Sequence, residues 1–147
     1  MEQYTVVRTI WVEAPCERVW LAVTEAEQLS LWYAPGSPWE IPKLEVGALV
    51  YFHHSPNAYH SGIEVVTLRA QIVTVDRPHR FALRWEMDAT APEMVTTFIL
   101  QEEQGGTRVT ITENGYPNQQ EGERVEQGYS MSLENLKAHA EGRSLPY

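Results

Sequence analysis

Phe81-Ala82-Leu83-Arg84-Trp85-Glu86-Met87 alternates large apolar with small or charged side chains without a break. Successive side chains of a strand point to opposite faces, so Phe81, Leu83, Trp85 and Met87 form one row and Arg84, Glu86 and Asp88 face water. Such a stretch is a half-buried strand, apolar toward the interior and wet behind. What the protein does then depends on what that row faces.

Outward from this strand, β-branched and aromatic residues dominate runs near 48–54, 63–76, 79–88, 94–103 and 106–113, separated by turn residues. Asp76-Arg77-Pro78-His79 reads as a turn, and Gln104-Gly105-Gly106-Thr107 as a tight hairpin, because glycine reaches positive φ cheaply. Short connections between consecutive strands imply an antiparallel meander. Ser55 to Gly62, with Pro56 and Asn57, reads as a mobile loop. Between Ala34 and Gly47, Pro35, Gly36, Pro38 and Pro42 predict an irregular segment with at most one short edge strand, and Trp39 there is either a lid or an anchor.

Before the meander, Val6 to Val12 alternates as a first strand. Ala14-Pro15 then opens a helix over 15–23, since proline is tolerated in a first helical turn. Thr24 with Glu27 suggests a capping box for a second short helix through Leu29 to Trp32. After the meander, Val125, Tyr129, Leu133, Leu136 and Ala140 build one stripe on a helix over 121–141. Asn118 with Glu121 caps its start, Lys137, His139 and Arg143 suit its negative end, and Gly142 stops it. Glu123, Glu126 and Glu134 are expected on its solvated face.

The 147 residues predict one domain over 1–147, able to bury roughly two-thirds of its unfolded surface. Twenty acidic against eleven basic residues give a formal charge of -9, which disfavours nucleic acid and anionic membranes as partners. The single cysteine, Cys16, cannot form an internal disulfide, and no stretch reads as a secretion signal or membrane span. The expectation is a cytoplasmic protein.

Strand, two short helices, antiparallel strands and one long amphipathic helix make an α+β chain in which the apolar sheet face and the helix stripe must bury each other. The expected fold is a curved antiparallel sheet wrapped around the C-terminal helix. Ala14-Pro15 followed by Arg18-Val19-Trp20, then Thr24-Glu25-Ala26-Glu27 leading to Trp32, then Asp76-Arg77-Pro78 before Phe81, Leu83 and Trp85, carry a resemblance. Gly106-Thr107 before Val109-Thr110-Ile111 and Gly128-Tyr129 with Leu133 and Leu136 extend it over nearly the whole chain. The sequence resembles the activator-of-Hsp90-ATPase-like branch of the START-related (SRPBCC, Bet v 1-like) helix-grip superfamily. That resemblance implies a cavity between sheet and final helix, often suited to an apolar ligand, and it fixes no one reaction. Relatives commonly have tryptophan where this chain has Tyr129.

Trp32, Trp39, Phe52, His54, Leu83, Trp85, Met87, Phe98, Tyr129 and Leu133 are the candidate ligand-binding residues, with close-packed core as the competing reading. If Val50, Phe52 and His54 form an inner row, His54 faces the cavity. His53, His54 and His60 with Glu64 raise a zinc reading, but adjacent strand residues point apart, so no metal or other cofactor is expected. Cys16 lies in a first helical turn with no partner base, and Ser130 and Ser132 read as surface or packing. Arg8, Arg69 and Arg84 are expected outside; turned inward, one would pair with Glu64, Glu86 or Glu113 or receive a ligand carboxylate.

Three functions compete. The favoured one is a module that binds a small apolar molecule. An enzyme of the cyclase or hydrolase kind would need an acid or base in the cavity, for which His54, Tyr129 and Glu113 are the candidates; no catalytic residue is assigned. The third is an interaction protein that stimulates a chaperone ATPase, ranked lower because the eukaryotic co-chaperone carries an additional N-terminal domain. A homodimer is compatible with all three.

Overall fold

Residues 80–85 form the central strand of an antiparallel sheet. The computed structural model describes residues 4–54, 66–86 and 93–147. In chain order the elements are β1 (Tyr4–Val12), α1 (Cys16–Thr24), α2 (Ala26–Trp32), β2 (Trp39–Glu40), β3 (Leu49–His54), β4 (Val66–Asp76), β5 (Arg80–Trp85), β6 (Met94–Glu103), β7 (Gly106–Tyr116) and α3 (Gln119–Ala140). Among the described residues the sheet has seven strands in the order β1-β7-β6-β5-β4-β3-β2. The sheet is open and curved around the long helix, the helix-grip arrangement that the alternation and the final stripe require. No described helix is long and apolar enough to cross a membrane.

Phe81 and Leu83 are fully buried, Arg84 and Glu86 are exposed, and Trp85 is half-buried. Met87, Asp88 and the 55–62 loop lie outside the described residues. Along α3 the stripe of Tyr129, Leu133, Leu136 and Ala140 is buried against the core and Val125 packs at its edge. At full burial each large aliphatic or aromatic side chain contributes roughly 1.5–3 kcal/mol of transfer free energy, so the row and the stripe hold each other.

Several boundaries differ from expectation, each for a local reason. Thr24 and Glu27 make no capping box. Thr24 is the last residue of α1, its hydroxyl donates to Trp20 O at 2.7 Å, and Glu25 takes the N-cap position of α2. The strand expected over 106–113 runs on to Tyr116 because β1 begins at Tyr4 and pairs with it across a register irregularity between Tyr4 and Val6. Asn118 caps α3 as expected, accepting from Glu121 N at 2.9 Å.

Glu126 departs most from its expected place. Glu123 and Glu134 are exposed, whereas Glu126 is buried, accepts from the Tyr4 hydroxyl at 3.0 Å and pairs with Arg8 at 3.4 Å. The cause is that α3 packs chiefly on β1, so the flank of the helix beside its apolar stripe is covered too. Contact is closest at Gly122, where a Cβ would overlap the Tyr4 ring. Alanine exceeds glycine by about 1 kcal/mol inside a helix, yet Gly122→Ala is expected to destabilise the protein by about 1–3 kcal/mol through overpacking. Adding Tyr4→Ala should remove that penalty. Urea denaturation of the single and double variants checks both.

The far end of α3 is fastened to β1 by charge. Lys137 Nζ donates to Trp11 O and to Glu141 Oε2, each at 2.8 Å, and lies 5.1 Å from the centre of the Trp11 ring. Glu141 also accepts from Glu13 N at 2.9 Å and from Arg143. Partial burial opposes ionisation of Glu141, but Lys137, the Glu13 N–H and Arg143 outweigh it and hold the carboxyl at about 2, below its ordinary 4.5. A depressed folded-state value means that the clamp is intact above the unfolded value and lost as pH falls toward the folded one. Stability should therefore decline between about pH 4.5 and 2, and Glu141→Gln should flatten that part of the curve in denaturation measured against pH.

Candidate functional site

β7 carries the buried carboxylate on which Thr96, Tyr116 and Tyr129 converge. Val109, Ile111 and Glu113 share one strand face, and all three are buried, the carboxylate at 4% exposure. Glu113 accepts from Thr96 Oγ1 and Tyr129 Oη on one oxygen and from Tyr116 Oη on the other, the Tyr129 bond measuring 2.6 Å. Thr96 in turn accepts from Trp85 Nε1 at 2.8 Å. Tyr33 and Tyr129 hydroxyls meet at 3.1 Å. A phenol has one proton, and Tyr129 gives its own to Glu113, so Tyr33 is the donor in that pair. Every donor in the network thus points toward Glu113.

Burial comes first among the causes that push the Tyr33, Tyr116 and Tyr129 hydroxyls above the ordinary phenol range, and the Glu113 charge adds to it in all three. For Tyr129 the neighbouring Tyr33 acts ahead of Glu113. The three phenols therefore stay protonated and keep donating at neutral pH.

Beside this network lies a cleft of about 430 Å³ between the first half of α3 and the sheet. Its wall comprises Phe52 of β3, Leu68 of β4, Glu113 and Tyr116 of β7, Tyr33 and Ala34 after α2, and Arg124, Val125, Gly128, Tyr129 and Ser132 of α3. α3 packs chiefly on the β1 edge and, among the described residues, contacts β3 and β4 far less, so the cleft opens toward that side. Aromatic packing stiffens its inner wall: Tyr33 sits edge-on to Trp39, Phe52 and Tyr129 at centroid separations of 5.1, 5.4 and 6.1 Å.

Of the candidate ligand-binding residues, Phe52 and Tyr129 line the cleft. Trp39 and Trp85 stand behind its wall, 5.8 Å apart, and Trp39 is 4% exposed, so it anchors the proline-rich segment. Trp32, Leu83, Phe98 and Leu133 are buried in the close-packed core. The His54 side chain, Met87, His60 and Glu64 lie outside the described residues. His53 reaches Glu40 and Thr67 at the sheet surface.

Tyr33, Tyr116 and Arg124 are cleft residues that the sequence pattern does not single out. Glu113 has a readable signal, its place on the Val109–Ile111 face of β7. Ser132 is buried and packs α3 against the end of α2, its hydroxyl donating to Tyr33 O at 2.6 Å where it borders the cleft. Arg69 pairs with Glu86, and Arg84 reaches Gln71 at 2.5 Å, both outside. Away from the cleft, and sharing no residue with it, Cys16, His79 and Glu102 bring one ligand-type atom each within 4.8 Å of one another, with His79 and Glu102 exposed.

Residues 13–141 match the family model described as activator of Hsp90 ATPase homolog 1-like protein. The chain belongs to that family. A search of curated proteins gives no match. Protein CV1439 from Chromobacterium violaceum superposes with TM-score 0.77 at 21% identity, over 93% of this chain and 96% of the other. The Aha1 dimer from Colwellia psychrerythraea gives 0.74 at 14% identity, over 94% and 96%. DynU16, described as a putative protein in the dynemicin biosynthetic locus, gives 0.72 at 20%, over 97% of this chain and 49% of that one. At these identities the likeness is one of fold.

The network yields a stability prediction. Thr96→Val removes one donor to a buried carboxylate and the acceptor for the Trp85 N–H, and should cost about 1–3 kcal/mol. Thr96→Ser, which keeps the hydroxyl, should cost clearly less. Chemical denaturation of the two variants checks the difference.

Proposed function

We propose that this chain is a small-molecule binding protein whose ligand enters the cleft between α3 and the sheet. The single observation that carries this reading is the cleft itself: about 430 Å³, with Phe52, Leu68, Val125 and three tyrosine rings around one buried carboxylate. Mostly apolar walls with a few converging polar groups are the usual make-up of a ligand site, and the volume falls in the range such sites occupy.

Binding is favoured over catalysis by the state of the polar groups. Glu113 already accepts from three hydroxyls, so about one of its four acceptor positions is left, enough to hold a ligand group in place. The tyrosine hydroxyls are pushed up, away from the range in which a phenolate would act. The family's name supports a second reading, stimulation of a chaperone ATPase, and the relative solved as a dimer supports self-association.

The test uses 6-propionyl-2-dimethylaminonaphthalene, an uncharged probe whose emission moves to the blue in apolar surroundings. Saturable binding of one probe per chain is expected. Val125→Trp, which fills the cleft from α3, should weaken binding at least tenfold while the circular dichroism spectrum is unchanged. Absence of saturable binding to the wild-type chain would sink the proposal.

A further inference from the structure

The hydroxyls and the carboxylate of the cleft wall do not balance as donors and acceptors. The Tyr129 and Tyr116 protons go to Glu113, the Tyr33 proton goes to Tyr129, and the Ser132 proton goes to the Tyr33 carbonyl. The hydroxyls of the wall therefore present lone pairs and no spare proton. Glu113 itself, at 4% exposure, has an ion pair with no described residue. A carboxylate can accept about four hydrogen bonds, and three are made, two on Oε2 and one on Oε1.

From this accounting we infer that the ligand is a protonated amine carried on an apolar body, its ammonium directed at Glu113 and its body against Phe52 and Leu68. The inference rests on the reading of the cleft as a ligand site and adds the ligand's charge. Burying a carboxylate with no cation beside it among the described residues is costly, and a cationic guest relieves that cost where a neutral or anionic one does not. Tyr33, Phe52, Tyr116 and Tyr129 border the same space, and the negative faces of aromatic rings attract ammonium groups. The formal charge of -9 draws cations toward the molecule. Arg124 also borders the cleft but is exposed, where water screens its charge.

The experiment titrates the whole chain with 2-phenylethylammonium, 2-phenylethanol and 3-phenylpropanoate, three probes of similar size and different charge, followed by protein NMR shifts. The expected result is that the ammonium binds at least tenfold more tightly than the alcohol, that the carboxylate is weakest, and that Glu113→Gln abolishes the preference while alcohol binding persists. Should Glu113→Gln fail to fold, Tyr33→Leu keeps the carboxylate and removes a ring. It should then weaken the ammonium more than the alcohol.

Equal binding of the ammonium and the alcohol, or tighter binding of the carboxylate, overturns the inferred charge and leaves the cleft reading standing. An ammonium preference that survives in Glu113→Gln overturns the inferred charge in the same way. If none of the three probes binds and the uncharged naphthalene probe does, the amine is excluded. If that probe fails as well, the cleft reading falls and the inference with it.

Discussion

A carboxylate on the inner face of β7 is the group to which the interior must answer. An ion of that size taken out of water costs several kcal/mol unless its lone pairs are met. Here three of them are met, by Thr96 from β6, Tyr116 from the end of β7 and Tyr129 from α3. Those residues come from three separate elements, so satisfying Glu113 requires the sheet to be paired and the helix to be seated. Tyr33, behind Tyr129, brings the end of α2 into the same arrangement.

The rest of the architecture follows from where α3 can lie. Gly122 admits the Tyr4 ring and Lys137 reaches Trp11 O, so both ends of the helix are drawn onto β1. A helix held at that edge cannot also cover β3 and β4. α1, α2 and the Trp39 anchor fill part of what is left, and the remainder is the cleft. The opening is thus a consequence of the two fastenings, not of poor packing: Phe81, Leu83, Phe98 and Leu136, deeper in, are essentially without solvent contact.

Most of the fold was legible because it is written in periodicity. Alternation at Phe81 and Leu83 and the four- and three-residue steps of Tyr129, Leu133 and Leu136 survive into the structure unchanged. Glu113 was legible as a candidate, and its burial follows from its parity with Val109 and Ile111. Tyr33 and Tyr116 were not legible, for different physical reasons. Tyr33 caps α2, where no period continues to say which way a side chain turns. Tyr116 follows Gly115, whose φ of 97° breaks the strand's alternation just before the chain enters α3. Glu126 was misplaced because its burial depends on β1, an element distant in sequence.

The position of Glu113 bears also on how the chain finds its pairing. Sheet register is specified wherever one face must be apolar and the other wet, since a slip of one residue exchanges the faces. In β7 a slip would carry Thr110 and Thr112 inward and Glu113 outward, while Thr96 and Tyr129 would keep their protons with no acceptor to receive them. Mispairing of this strand is therefore penalised twice, once by lost apolar burial and once by stranded donors. The groups that give the cleft its polarity act at the same time as a check on the assembly of the sheet.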